Sequence, residues 1–142
     1  MHIVIQGAGR GLGLAFAHHA LRAGATNLYL TARNPQDCEG FRQLQPSERV
    51  QWFNLDFLNS DQIATTGEGI LAAAPNIDRI IITAGILHDG EIQPEKRVGA
   101  LEAEAMLHLY QINAMGPVLF LKSLWPALRR AHPVTAASLS AR

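Results

Sequence analysis

The chain has 142 residues, 48% hydrophobic and 17% charged, the profile of one globular domain and not of a disordered segment. Lysine plus arginine and aspartate plus glutamate balance at 12 each, which argues against a basic field for nucleic acid and against an acidic tail. No run approaches the about 18 apolar residues of a membrane span, and the single cysteine, Cys38, excludes an internal disulfide framework and a multi-cysteine metal site. The glycines from Gly7 to Gly13 interrupt any leader-like apolar run at once. A cytoplasmic unit without metal, membrane or nucleic-acid partners is therefore expected, its fold beginning at residue 2.

His2 to Gln6 is a short apolar run that stops at glycines and reads as a buried strand. Leu12 to Ala23 follows with helical spacing: Leu14, Ala17 and Leu21 fall on one face, with Leu12, Phe16 and Ala20 beside it. Gly24 suits a helix end in the left-handed conformation. Asn27 to Thr31 is the second strand, Pro35 to about Leu44 a weak polar helix or turn, and Val50 to Leu55 the third strand. A helix is expected from about Ser60 to Ala74, with Ser60 or Asp61 near its N-cap. Arg79 to Thr83 is the clearest buried strand: its β-branched run has no polar alternation, as in a parallel sheet covered on both faces. Leu87 to Gly99, with two glycines, Pro94 and several charges, reads as an exposed loop. A long helical stretch runs from about Leu101 to Arg130, bent near Gly116-Pro117, with Met106 and Met115 in the core, and Val134 to Leu139 forms a fifth strand. Strands alternating with crossover helices predict an α/β fold, a Rossmann-type doubly wound parallel sheet of about five strands. Residues 1–142 then form one unit, expected to be cut short as its fifth strand ends.

The loop Gly7, Ala8, Gly9, Arg10, Gly11, Leu12, Gly13 lies directly between the first strand and the first helix. A pyrophosphate must approach backbone amides closely at a helix N-terminus, where N–H groups lack partners and the dipole end is positive. Side chains would block that approach, and a further glycine lets helix and strand pack closely. A plain strand-to-helix turn is the bland alternative; the flanking strand and helix favour a phosphate cradle. A methyltransferase loop has the same connection, but it wants a carboxylate at the end of the second strand, where this chain has Thr31-Ala32-Arg33. Taken singly, Arg10 and Arg33 each read as solvated. Together, at the loop and at the strand end, they suit a 2′-phosphate and favour NADP over NAD.

In order and spacing these residues resemble the short-chain dehydrogenase/reductase family, over essentially the whole chain. Gly7-x-x-x-Gly11-x-Gly13 matches that family's cofactor loop. The resemblance implies that Asp56 contacts the adenine amino group and that Thr83-Ala84-Gly85 is the Asn-Ala-Gly motif supporting the sheet near the cofactor. It also implies that Asn113, in Ile112-Asn113-Ala114-Met115-Gly116, is the active-site asparagine, its backbone holding a water of the proton relay. Leu87-His88-Asp89-Gly90 with Pro94-Glu95-Lys96 is similar to a bacterial branch of C-factor or sniffer-like carbonyl reductases. Gln6 stands where many members have threonine, and Thr83 replaces asparagine; both keep hydrogen-bonding capacity.

Catalysis in that family moves a hydride between nicotinamide and a carbonyl or alcohol carbon, with a tyrosine as acid or base. A lysine one helical turn later lowers the phenol pKa and binds the nicotinamide ribose. Neither Tyr29 nor Tyr110 has a lysine in that place, and Tyr110 reads as a packing or interface residue. Ser138 and Ser140 fall where the resemblance implies a catalytic serine; Ser140 is the better placed, with Ala141 as the alternative register and two polar strand-end residues as the bland reading. Adjacent His18 and His19 point in different directions and make no metal site, and Cys38 has no His/Asp arrangement around it in sequence.

The expectation is an NADP-preferring oxidoreductase for a small-molecule carbonyl or alcohol, here as its cofactor-binding half. At full length it would be a homo-oligomer through the long fourth helix, around Val118 to Leu121. The alternative is a non-catalytic dinucleotide-binding or signalling module; a methyltransferase-like domain is the third reading.

Overall fold

The computed structural model describes residues 1–87, 90, 92, 96–129 and 133–139. Five strands, β1 (His2–Gln6), β2 (Asn27–Ala32), β3 (Val50–Asn54), β4 (Arg79–Ile82) and β5 (Thr135–Ser138), form one sheet in the order β3-β2-β1-β4-β5. Every pairing is parallel. The central strands are apolar at consecutive positions because helices cover both faces. On one face Ile3, Ile5, Leu28 and Leu30 pack against Leu14, Ala17 and Ala20 of α1 (Gly11–Arg22). On the other, Val4, Tyr29, Ile80 and Ile82 meet Ile63 and Ile70 of α3 (Ser60–Ala73), with Phe120, Leu124 and Ala127 from the later helices. This is the doubly wound Rossmann-type arrangement.

Local chemistry sets the ends of these elements. At the end of α1, Gly24 adopts φ +83°, and two backbone bonds, Gly24 N to Leu21 O and Ala25 N to Ala20 O, take up the last carbonyls. The cap of α3 is Asn59, one residue before the positions expected, its side-chain oxygen accepting from Gln62 N at 2.9 Å. The weak segment after β2 resolves into a tight turn, Pro35–Asp37, and a short α2 (Glu39–Gln43). Cys38 caps α2 through its sulfur, and Trp52 of β3 anchors the far end by donating from Nε1 to Leu44 O at 2.7 Å.

The long helical stretch is less continuous than its periodicity suggests. It comprises α4 (Ala103–Tyr110), a wide π-turn over Gln111–Met115, α5 (Gly116–Ser123) and α6 (Trp125–Leu128). Pro117 has no N–H to return to the Asn113 carbonyl, so the disruption falls in the turn ahead of Gly116-Pro117. A second break falls at Leu124, just ahead of Pro126. Met106 and Met115 are not core residues: they are 51% and 42% exposed, because α4 buries no residue at all and the π-turn that Met115 ends turns only Ile112 inward. Leu12 is likewise exposed, projecting at the mouth of a cleft rather than beside the buried face of α1. Strand β5 is exposed at all four positions.

Candidate functional site

The sheet order places a reversal between β1 and β4: the chain winds outward from β1 to β3, then returns to β4 on the other side of β1. Loops leaving the carboxyl ends of two such strands diverge, and an open α/β sheet forms its crevice there. A cleft of about 970 Å³ opens at this point. Gly7, Gly9, Arg10, Gly11, Leu12, Gly13, Arg33, Asp56, Thr83, Ala84 and Gly85 all line it.

The glycine loop is shaped by close packing as much as by conformation. Gly7 has φ +82°, and a Cβ there would lie 2.7 Å from Thr83 Oγ1. A Cβ on Gly13 would run into the Gly7 backbone carbonyl, so α1 could not start so near β1. Gly11 and Leu12 are exposed, and the first turn of α1 carries no acidic side chain, which leaves its positive end open to an anion.

The β4 loop is tied to the end of β1 by three hydrogen bonds. Thr83 N and Thr83 Oγ1 donate to Gln6 O at 3.1 and 2.8 Å, and Ala84 N donates to Gln6 Oε1 at 3.0 Å. The two departures noted in the sequence, Gln6 and Thr83, thus bond to opposite sides of one junction. Asp56 is oriented from both ends: its Oδ1 accepts from Leu58 N at 3.0 Å, and its own N–H donates to Gln62 Oε1.

Charge on the lip of the cleft is mixed. Arg10 and Arg33 stand there with Asp37 and Glu39. Glu39 accepts from Gln43 Nε2 at 2.7 Å, whereas neither arginine side chain has a hydrogen-bonding or ionic partner among the described residues. Asp37 uses only its backbone carbonyl, which accepts from Arg42 Nη1 at 3.2 Å, so both guanidinium groups and the Asp37 carboxylate are uncommitted among the described residues. Cys38, Asn34 and Gln62 also line the cleft, and Cys38 packs directly against Gly9. Sequence pattern did not single these out as site residues, since only the folded path of the segment after β2 brings it over the glycine loop.

Asn113 is not itself among the residues that line this cleft, but it stands directly behind its wall, against Gly85 and Ile86. Its Oδ1 accepts from Ile86 N at 2.8 Å and its Nδ2 donates to Ile86 O at 2.7 Å, fastening the π-turn to the loop after β4. It borders a shallow apolar groove with Tyr110 and Met106. Ser140, Ala141, His88 and Asp89 lie outside the described residues. Neither tyrosine lines the cleft. Tyr29 is buried in the sheet, and that burial pushes its phenol above the ordinary value of 10.0, while Tyr110 is exposed on α4. Among the described residues no group of three His, Cys, Asp or Glu side chains is placed to hold a metal, and no helix is long and apolar enough to cross a membrane.

A doubly wound parallel sheet with a glycine loop and an open helix N-terminus at its switch point defines the chain as a Rossmann-type α/β domain. The chain belongs to the short chain dehydrogenase family, an oxidoreductase enzyme class, which it matches over residues 1–138. It is similar to the crystal structure of a carbonyl reductase from Pseudomonas aeruginosa, at 30% identity and a TM-score of 0.76, over 95% of this chain and 60% of that one. An alcohol dehydrogenase from the archaeon Thermococcus sibiricus, complexed with 5-hydroxy-NADP, is 25% identical with a TM-score of 0.80, over 96% of this chain and 56% of that one. A short chain dehydrogenase of Gibberella zeae is 31% identical over 136 residues, 89% of this chain and 36% of the relative. The chain spans between 36% and 49% of the length of three curated relatives that it matches.

Proposed function

We propose that residues 1–142 are the dinucleotide-binding unit of an NADP-preferring oxidoreductase that reduces a small-molecule carbonyl or oxidises the corresponding alcohol. The observation that carries this reading is the pair Arg10 and Arg33, two guanidinium groups on the lip of the glycine-loop cleft without a side-chain partner among the described residues. A phosphate monoester on the adenosine ribose would meet both, in the geometry that arginine serves best. The archaeal relative with a bound NADP derivative and the carbonyl reductase likeness support the same class of cofactor and substrate.

The residues present fit such a group. The amides of Gly11 and Leu12 would take the pyrophosphate, Arg10 and Arg33 the 2′-phosphate, and Asp56, its carboxylate oriented by the Leu58 amide, the adenine amino group. The cofactor supplies the hydride when bound. This chain's residues bind it and fix its direction across the switch point, while Asn113 holds the π-turn against the β4 loop beside it. A cytoplasmic location and a homo-oligomeric full-length protein belong to the same proposal.

Titration with NADPH and NADH tests it. Tight NADPH binding is expected, and Arg33→Ala is expected to weaken NADPH about tenfold while leaving NADH nearly unchanged. Equal weakening of both would remove Arg33 from the 2′-phosphate, and failure to bind either would overturn the reading. The position of both tyrosines away from the cleft favours a second reading, a non-catalytic dinucleotide-binding or signalling module. Saturable NADPH binding by the full-length protein, with no oxidation of NADPH by any of a panel of aldehydes and ketones, would decide for it.

A further inference from the structure

Gln6 ends β1 at the floor of the cleft and is only 5% exposed. Its side-chain oxygen is already committed, accepting from Ala84 N at 3.0 Å. That bond fixes which way the amide faces, so Nε2 is turned away from the β4 loop, and it has no hydrogen-bond partner among the described residues. Directly across from Gln6 in the β1–β2 register is Thr31, wholly buried, whose hydroxyl also has no partner there. Among the described residues Thr31 Oγ1 is the wholly buried side-chain polar atom left without a partner, so the unpaired Gln6 Nε2 keeps access to the cleft that Gln6 lines, where an acceptor can meet it. Holding Ala84 needs only an acceptor, so the spare donor is what glutamine adds at this position.

The surroundings indicate what the donor meets. Leu55, Phe57 and Ile112 give the same cleft apolar walls, and Asp56 offers an acceptor beside them. Thr31 lies two residues before Arg33 on the strand next to β1, which puts Gln6 toward the end of the cleft assigned to the adenosine ribose. We propose that the Gln6 amide nitrogen donates a hydrogen bond from the cleft floor to an acceptor on the adenosine half of the dinucleotide, a ribose oxygen or a purine ring nitrogen. This rests on the dinucleotide reading above and adds a contact to it: Gln6 joins the β1–β4 junction to the ligand itself.

The test uses the ¹⁵N-labelled chain and two probes, adenosine 2′,5′-bisphosphate and nicotinamide mononucleotide. The Gln6 side-chain NH2 pair is assigned by its loss in Gln6→Met. The pair is expected to shift and to exchange more slowly with solvent when the adenosine probe saturates, and to stay in place with the nicotinamide probe. Gln6→Met is expected to bind NADPH about fivefold more weakly. The wild-type NMR readout stands even where that variant folds poorly. An unmoved Gln6 pair at saturation overturns the inference and leaves the dinucleotide reading intact. No binding of the adenosine probe or of NADPH by the wild-type chain overturns both.

Discussion

Tyr29 shows how one residue at the far end of the sheet sets a pH limit on the fold. Its hydroxyl donates to Ala73 O at 3.3 Å and lies 3.1 Å from His2 Nδ1, inside a packed layer. Burial raises the phenol pKa above the ordinary 10.0, so the unfolded chain gives up this proton at a lower pH than the folded one. The unfolded state then binds fewer protons from about pH 10 upward, and stability falls with rising pH through the folded pKa; below that window the contribution is fully present. Tyr29→Phe is expected to cost about 1 kcal/mol near neutral pH and to flatten the alkaline fall. Urea denaturation at neutral pH and above about pH 10 reads both, and an unchanged alkaline slope in the variant would refute the assignment. Gly13 sets a limit of another kind. A methyl group there would meet the Gly7 carbonyl and lie 2.7 Å from Thr83 Oγ1. Gly13→Ala is expected to destabilise by about 1–3 kcal/mol and to abolish dinucleotide binding, measured by melting and by NADPH titration. Unaltered binding in a folded Gly13→Ala protein would mean that the close approach of α1 to β1 is dispensable.

Between elements, α3 and α5 approach each other closely. A Cβ on Gly67 would strike the Ser123 side chain, whose hydroxyl donates to Phe120 O at 2.7 Å. A Cβ on Gly116 would strike the Phe57 ring, which itself packs on Phe120. Gly67→Ala alone is expected to lose about 1–3 kcal/mol. Ser123→Gly in the same chain should recover much of that loss, apart from the helix propensity cost of the second glycine, and a double-mutant cycle by chemical denaturation measures the coupling. Additive losses would place the strain elsewhere. This contact also marks what could be read in the sequence. The strands and their order along the chain were legible because buried parallel strands are continuous apolar runs. The glycine-loop, Arg33, Asp56 and β4-loop positions were legible because each follows directly on a strand end. The π-turn was not, since apolar spacing continues through Gln111–Met115 and the turn's tie to the fold is a contact with Ile86, far away in sequence. Met106 and Met115 were misplaced in the core because periodicity identifies an apolar face without saying whether this chain covers it. The free donor of Gln6 was invisible for a related reason: only the folded β1–β4 junction shows which end of its amide is already used.

Apart from Leu12 at the mouth of the cleft, the most exposed large apolar side chains among the described residues lie outside the cleft lining. Leu107 and Tyr110 on α4 are 63% and 59% exposed, Val118 and Trp125 continue the exposed apolar residues beyond the π-turn, and none of these lines the cleft. Of the Val118 to Leu121 run expected to serve an interface, Phe120 is fully buried and Val118 is the freely exposed member. The outer strand β5 adds a solvent-facing edge. A formal net charge of +0 supplies no long-range repulsion to hold copies apart. Exposed apolar patches of this kind favour association, so the 142-residue chain is expected to self-associate with rising concentration in light-scattering chromatography. Leu107→Lys and Val118→Lys should each shift it toward monomer. Because those residues are remote from the glycine loop, NADPH affinity should be retained within about twofold, the scatter usual for surface substitutions. A chain that stays monomeric throughout, or lysine variants that lose NADPH binding together with association, would show that the two surfaces are not independent.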